Sequence, residues 1–351
     1  MEIPPILLEL LPDSESELSA SESSSQSSES VSDSLSGETL VSGELTIHFP
    51  FLGNQTSGDC TLIKTGDTEI LIDAGSTTTS AGTIVPYINR FCTDGVLEYV
   101  IATHGDQDHI AAFVGSSSYD GIFESFECET IIDFPKTTKD TDIYKNYVSL
   151  RDKEVEAGAK HYTALECWNN ENGAQRSYTL GDGITMDILY QKYYVETTST
   201  ENNYSVCLMI TQGENHFLFT GDLESSGEKS LVQSNNLPKC TLYKAGHHGS
   251  KTSSTVELIS VIQPEIVVAC CCSGDKHGFP HQEFINNIAP YTDKLYIPSM
   301  VNGNSYKLLN GSIVVTSNGE GVSVDGSNNE TLFKDTEWFK TNRTLPDAWK
   351  E

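Results

Sequence analysis

His104, Asp106, Asp108 and His109 place four groups able to bind a divalent transition metal within six residues of chain. Imidazole and carboxylate are the usual ligands of such ions, and a tight loop leaving a strand can aim closely spaced side chains inward at one or two of them. The apolar run at 97–100 supplies the strand. A helix would send the four side chains to different faces, so the spacing predicts a loop.

Further chemistry-bearing residues stand at the ends of strand-like runs. Asp73 closes an apolar run at 69–72 and is followed by Ala-Gly-Ser. A carboxylate there is costly unless paired, which suggests a place beside the metal loop. Gly221 and Asp222 follow the apolar run 215–220, where the glycine lets the backbone turn closely and the aspartate sits at the strand end. His247 and His248 stand between Gly246 and Gly249 after the strand-like run 241–245.

The elements that must position these residues are mixed. Residues 43–51, 60–64 and 69–73 predict an antiparallel meander. Helical spacing marks 82–92, 142–160, 224–233 and 256–262, and another helix is expected to start near Ile110. Strand patterns recur at 129–133, 183–190, 205–210, 265–272 and 312–316. Periodicity alone supports a mixed α and β domain.

The ordered set Asp73-Ala-Gly75, His104-Gly-Asp106-Gln-Asp108-His109, Thr220-Gly-Asp222 and His247-His248-Gly-Ser250 resembles the metallo-β-lactamase superfamily. The loop is the variant with aspartate, here Asp106, in place of the commoner second histidine. It is similar to the soluble hydrolase domain of competence-type DNA-uptake proteins. The resemblance covers roughly residues 44–320. It implies a four-layer αββα sandwich and a binuclear hydrolase in which two divalent ions, zinc or manganese, activate water.

The resemblance also implies roles for particular residues. His104, Asp106 and Asp222 would hold one ion, and Asp108, His109, Asp222 and His247 the other, with Asp222 bridging. Asp108 would also take part in catalysis. His247 is preferred to His248 because it directly follows the glycine at the strand end; adjacent side chains diverge, so His248 is expected to face substrate or to stand behind the ligands. Asp73 would orient the metal loop. Many members carry a further histidine ligand near residue 203, and this chain has none there; Asn203 or water would fill the place. His281 matches the second histidine of a Gly-His-Pro-His loop, with Phe279 at the first, and is expected to contact substrate or donate a proton. The subfamily points to a phosphodiesterase or nuclease. Lactone or amide hydrolysis, and a non-catalytic metal-binding interaction module, are the alternatives.

Charge narrows the substrate. The 351 residues carry a formal charge of −29. The first 44 hold ten acidic residues and no Lys or Arg, which leaves 40 acidic against 21 basic residues in the body. Such a body repels a long duplex, whose binding relies on neutralising phosphates with cations, so a short or small phosphodiester or another small molecule is expected. The Ser/Glu-rich segment 1–43 cannot bury enough apolar surface to offset its ordering entropy and is expected to be disordered. The hydrolase domain is expected at 44–325, with a polar C-terminal tail at 326–351. No run reaches the roughly 20 apolar residues of a membrane span. Nine cysteines without CxxC spacing point to reduced thiols and a cytoplasmic setting. No pattern sets an oligomeric state.

Overall fold

The computed structural model describes residues 43–350. Nearly all of the acidic segment set at 1–43 therefore lies outside the described residues.

Two large mixed sheets form the body. From edge to edge, the first contains Val322–Gly326, Ile313–Ser317, Leu45–Phe49, Cys60–Thr65, Thr68–Ala74, Val96–Ile101, Glu127–Asp133 and Lys160–Thr163. It is antiparallel as far as Thr68–Ala74 and parallel beyond it. The second contains Ser177–Gly181, Ile184–Leu189, Cys207–Gln212, Asn215–Phe219, Leu242–Lys244, Ile266–Val268 and Leu295–Tyr296. It too changes from antiparallel to parallel, at Asn215–Phe219. Parallel neighbours release the chain at one end, and loops from several strands converge there.

Period-two alternation explains the layers. Phe217, Phe219, Leu242, Ile266 and Val268 join one apolar cluster with Ile47, Leu62 and Val100 of the first sheet. The intervening Leu218, Tyr243 and Val267 face a second cluster with Leu258 and Ile259 of helix Val256–Ile262 and with Phe284 and Ile288 of helix Gln282–Ile288. Helices Ala81–Ile88, Gln107–Val114 and Asp142–Ala157 belong to the first sheet's side. The expected αββα sandwich is the arrangement observed. The consecutive Cys270 and Cys271 divide between the two clusters, and all nine cysteines are buried and unpaired.

Two local expectations need correction. The helix after the metal loop begins at Gln107 rather than near Ile110, so Asp106 is its N-cap residue and Asp108 and His109 lie in its first turn. The motif is half loop and half helix. Residues beyond 326 also contribute to the core: Phe333, Phe339 and Trp349 are buried in the second cluster, and the Trp349 indole donates to the Thr292 carbonyl at 2.8 Å.

Glu228 ties the segment after the paired histidines to helix Ser225–Ser234. Its fully buried carboxyl accepts from Ser254 N at 2.5 Å, Thr255 N at 2.8 Å and Thr255 Oγ1 at 2.7 Å. Burial outweighs those donors and pushes its pKa from 4.5 to about 7. The folded state therefore holds a proton that the unfolded chain releases at lower pH. This contribution to stability is complete below about pH 4.5 and disappears as pH rises through 7, a loss of up to about 3 kcal/mol. Glu228→Gln is expected to flatten the fall in denaturant-unfolding free energy between pH 5 and 8. An unchanged slope would show that Glu228 ionises normally.

Candidate metal centre

Three histidines are turned the same way by three separate acceptors. The His109 Nδ1–H donates to Asp73 Oδ2 at 2.7 Å. His248 Nδ1 lies 3.1 Å from the Cys270 carbonyl, which can only accept. His104 Nδ1 lies 3.1 Å from Thr103 Oγ1 and 3.4 Å from Ser205 Oγ. Both hydroxyl protons are already given away, to Asp73 and to the Asn202 carbonyl, so both oxygens accept from His104. This network assigns the proton of each imidazole to Nδ1 and leaves the Nε2 lone pair facing inward.

The inward atoms lack partners. His104 Nε2, His109 Nε2, His248 Nε2 and Asp222 Oδ1 are buried without a hydrogen bond. Asp222 Oδ2 stands 3.2 Å from His109 Nε2, 3.4 Å from His248 Nε2 and 3.7 Å from His247 Nε2. Leaving such atoms unsatisfied costs about 1–3 kcal/mol apiece, and a bound cation removes that cost. Nitrogen lone pairs around a carboxylate suit a divalent transition metal. The donor set fits.

Asp222 is set at this point by its neighbours. Its N–H donates to Ser205 Oγ at 3.0 Å, and Gly221 turns with φ +52°. Burial alone would raise its pKa, but His109, His248 and His247 hold it well below the usual carboxylate range. The same attraction raises His248 to about 10 against its burial.

Asp73 accepts from Thr103 N at 2.7 Å and Thr103 Oγ1 at 2.8 Å as well as from His109, and so grips the motif loop at both ends. Gly75 allows the close approach beneath it: a Cβ there would lie 1.7 Å from the Asp108 carbonyl oxygen. Asp108 points to the open side, with Oδ2 3.5 Å from His248 Nε2.

The paired histidines differ from the sequence expectation. His247 and His248 both adopt left-handed backbone, at φ +49° and +56°, a conformation costing about 1 kcal/mol per non-glycine residue. That backbone cancels the expected divergence, and both Nε2 atoms face Asp222. His248 lies deeper and is fully buried, whereas His247 stays at the rim with Nδ1 3.1 Å from Thr252 Oγ1.

His281 and Asn203 are not brought into the cluster. His281 Nδ1 accepts from Lys251 N and its Nε2 meets the His277 carbonyl, each at 3.1 Å and both exposed at the surface. Asn203 Oδ1 accepts from Glu224 N at 3.2 Å at the start of the following helix. Ser205, two residues on, is what reaches His104 and Asp222.

Asp59 and Lys244 were not singled out from sequence. Ligand atoms of Asp59, His109, Asp222 and His248 all fall within 4.8 Å of one another. Asp59, however, stands on the Nδ1 side of the imidazoles, 3.0 Å from His248 Nδ1 and 3.8 Å from His109 Nδ1. Its other partner is the buried Lys244 ammonium. Asp59 is thus placed behind the ligands, as an anion steadying two of them. Burial works to raise its pKa, but Lys244 and the two histidines bring it down to about 2.

A family model described as the metallo-beta-lactamase superfamily matches residues 53–115 and 195–273, segments that carry Asp59, Asp73, the motif loop, Asp222 and the paired histidines. The chain belongs to the metallo-β-lactamase superfamily. Within it, the chain is 28% identical over 240 residues to Recombination protein 2 of Haemophilus influenzae, covering 67% of this chain and 25% of that protein. It is 28% identical over 193 residues to ComE operon protein 3 of Bacillus subtilis, covering 54% and 22%. The matched region thus spans about a quarter of the length of these curated relatives. The solved metallo-β-lactamase-fold protein YhfI of Bacillus subtilis aligns with 72% of this chain and 95% of its own, at 14% identity and a TM-score of 0.43. Among the described residues, no helix is long and apolar enough to cross a membrane.

Proposed function

We propose that this superfamily member is a metal-dependent phosphodiesterase acting on short or small phosphodiesters. The observation that carries the metal reading is the convergence of two buried, unpartnered Nε2 atoms, those of His109 and His248, on the Asp222 carboxylate, with the unpartnered His104 Nε2 facing Asp106. His104, Asp106 and Asp222 would hold one divalent ion; Asp108, His109, Asp222 and His248, with His247 at the rim, would hold a second. Zinc or manganese bound there supplies Lewis acidity and water activated near neutral pH. The chain's own work is positional: Asp73, the Cys270 carbonyl, Thr103 and Ser205 fix the imidazoles. Asp222 offers charge to both halves. Burial lowers the pKa of His247 to about 4, so its imidazole is neutral at pH 7 and its Nε2 lone pair would be available to the ion at the rim.

The phosphodiester reading draws on similarity to Recombination protein 2 and ComE operon protein 3, and the limit to short substrates draws on the charge of −29. The test is hydrolysis of bis(p-nitrophenyl) phosphate, a γ-lactone and a β-lactam by the full chain loaded with zinc or manganese. Metal-dependent cleavage of the phosphodiester alone is the expected result. Lactone or lactam turnover without phosphodiester turnover would overturn the substrate class while leaving the metal centre standing.

A further inference from the structure

The two halves of the centre differ in one respect. Strand Glu127–Asp133 runs parallel to Val96–Ile101, so the segment after it emerges beside the motif loop. Glu201 pins that segment. Its buried carboxylate accepts from Gly105 N at 3.1 Å, Thr137 Oγ1 at 2.6 Å, Thr138 N at 2.6 Å and Thr138 Oγ1 at 2.8 Å. Lys139 N then donates to Thr137 Oγ1 at 2.9 Å, which continues the turn.

The turn lays the Lys139 side chain across Gly105, the residue between His104 and Asp106. A Cβ on Gly105 would lie 2.9 Å from both Glu201 Oε1 and Thr137 Oγ1 and 3.2 Å from Lys139 Cγ. Glycine leaves room for the lysine stem. The Lys139 ammonium pairs with Asp106 Oδ1, while Asp106 Oδ2 faces His104 Nε2 at 3.4 Å. Among the described residues, no such cation pairs with the inward atoms of the other half: the buried Lys244 is directed to Asp59, behind the imidazoles.

We propose that Lys139 is a resident cation of the His104/Asp106 half, so that divalent ions load in two unequal steps, the half built by Asp108, His109, Asp222 and His248 filling first. The inference rests on the metal reading above and adds an order to it. An ion arriving at His104 and Asp106 must displace an ammonium already neutralising Asp106 and then tolerate its positive charge nearby. Lys139 is thus a positioning residue that sets the occupancy of the second site.

The test is a Mn(II) titration of metal-stripped full chain, followed by calorimetry and by electron paramagnetic resonance, which separates isolated from exchange-coupled ions. Wild type is expected to bind one ion tightly and the next at least about tenfold more weakly, with an isolated-ion spectrum at one equivalent. Lys139→Met keeps the stem over Gly105 and removes the charge. It should tighten the second step by up to about fivefold, the order of a partly exposed ion pair, and leave the first step unchanged. Lys139→Arg should behave as wild type. Equal affinities for two ions in wild type, or an unmoved second step in Lys139→Met, would overturn the proposal alone. No uptake by any form would overturn it together with the metal reading.

Discussion

Asp222→Asn is expected to lower divalent-ion affinity by at least on the order of a hundredfold while leaving the fold intact. Removing only a partner of a metal-bound histidine costs up to about a hundredfold, and Asp222 is placed to meet the ion itself. Its Oδ2 stands within 3.7 Å of three imidazole Nε2 atoms. Asparagine preserves the size and the backbone bond from Asp222 N to Ser205 Oγ but removes the carboxylate charge that His109, His247 and His248 share. Far-ultraviolet dichroism should therefore match wild type while bound metal after dialysis falls. A variant that keeps its metal would remove Asp222 from the ligands.

Lys244→Met is expected to cost about 3–5 kcal/mol of unfolding free energy, the usual penalty for stranding one member of a buried ion pair. Lys244 and Asp59 are each 2% exposed, and the ammonium has only Asp59 and, at 3.5 Å, the Gly221 carbonyl. Without it, Asp59 remains as a buried anion beside His248. The double variant Asp59→Asn/Lys244→Met should recover much of the loss, because no stranded charge is left. Urea unfolding of the four forms completes the cycle. A single-variant loss below about 1 kcal/mol would mean that the pair is solvated, as surface pairs are.

What could be read from sequence was what lies close together along the chain. The motif from His104 to His109, Asp73 after its apolar run and Asp222 after Gly221 sit where single parallel or central strands end, and the αββα layers follow from strand and helix patterning together with the family resemblance. Asp59 escaped notice because it reads as the end of a turn, Gly58-Asp59-Cys60. What turns it inward is a register shift at Cys60/Thr61 together with bonds from Asp59 N to the Asp108 carbonyl at 3.0 Å and from Gly75 N to the Asp59 carbonyl at 2.9 Å. Those contacts join segments far apart in sequence. Lys244 looks like an ordinary polar position in a short strand, and its role exists only through Asp59. Glu201 and Lys139 lie outside every motif: the parallel pairing of Glu127–Asp133 with Val96–Ile101 brings Lys139 to Gly105, and Glu201 arrives from the turn before Cys207–Gln212, where Val206 N donates to the Thr103 carbonyl at 2.8 Å. The order of His247 and His248 was open to misreading because side-chain divergence assumes extended or helical backbone, and both residues are left-handed.

The most direct measurement is metal content of the full chain after exhaustive dialysis against low-micromolar zinc or manganese, wild type beside Asp222→Asn. Wild type retaining at least one ion per chain, with Asp222→Asn retaining essentially none, is the result expected of a metal centre at the inward Nε2 atoms. Wild type that remains metal-free under both conditions would contradict it.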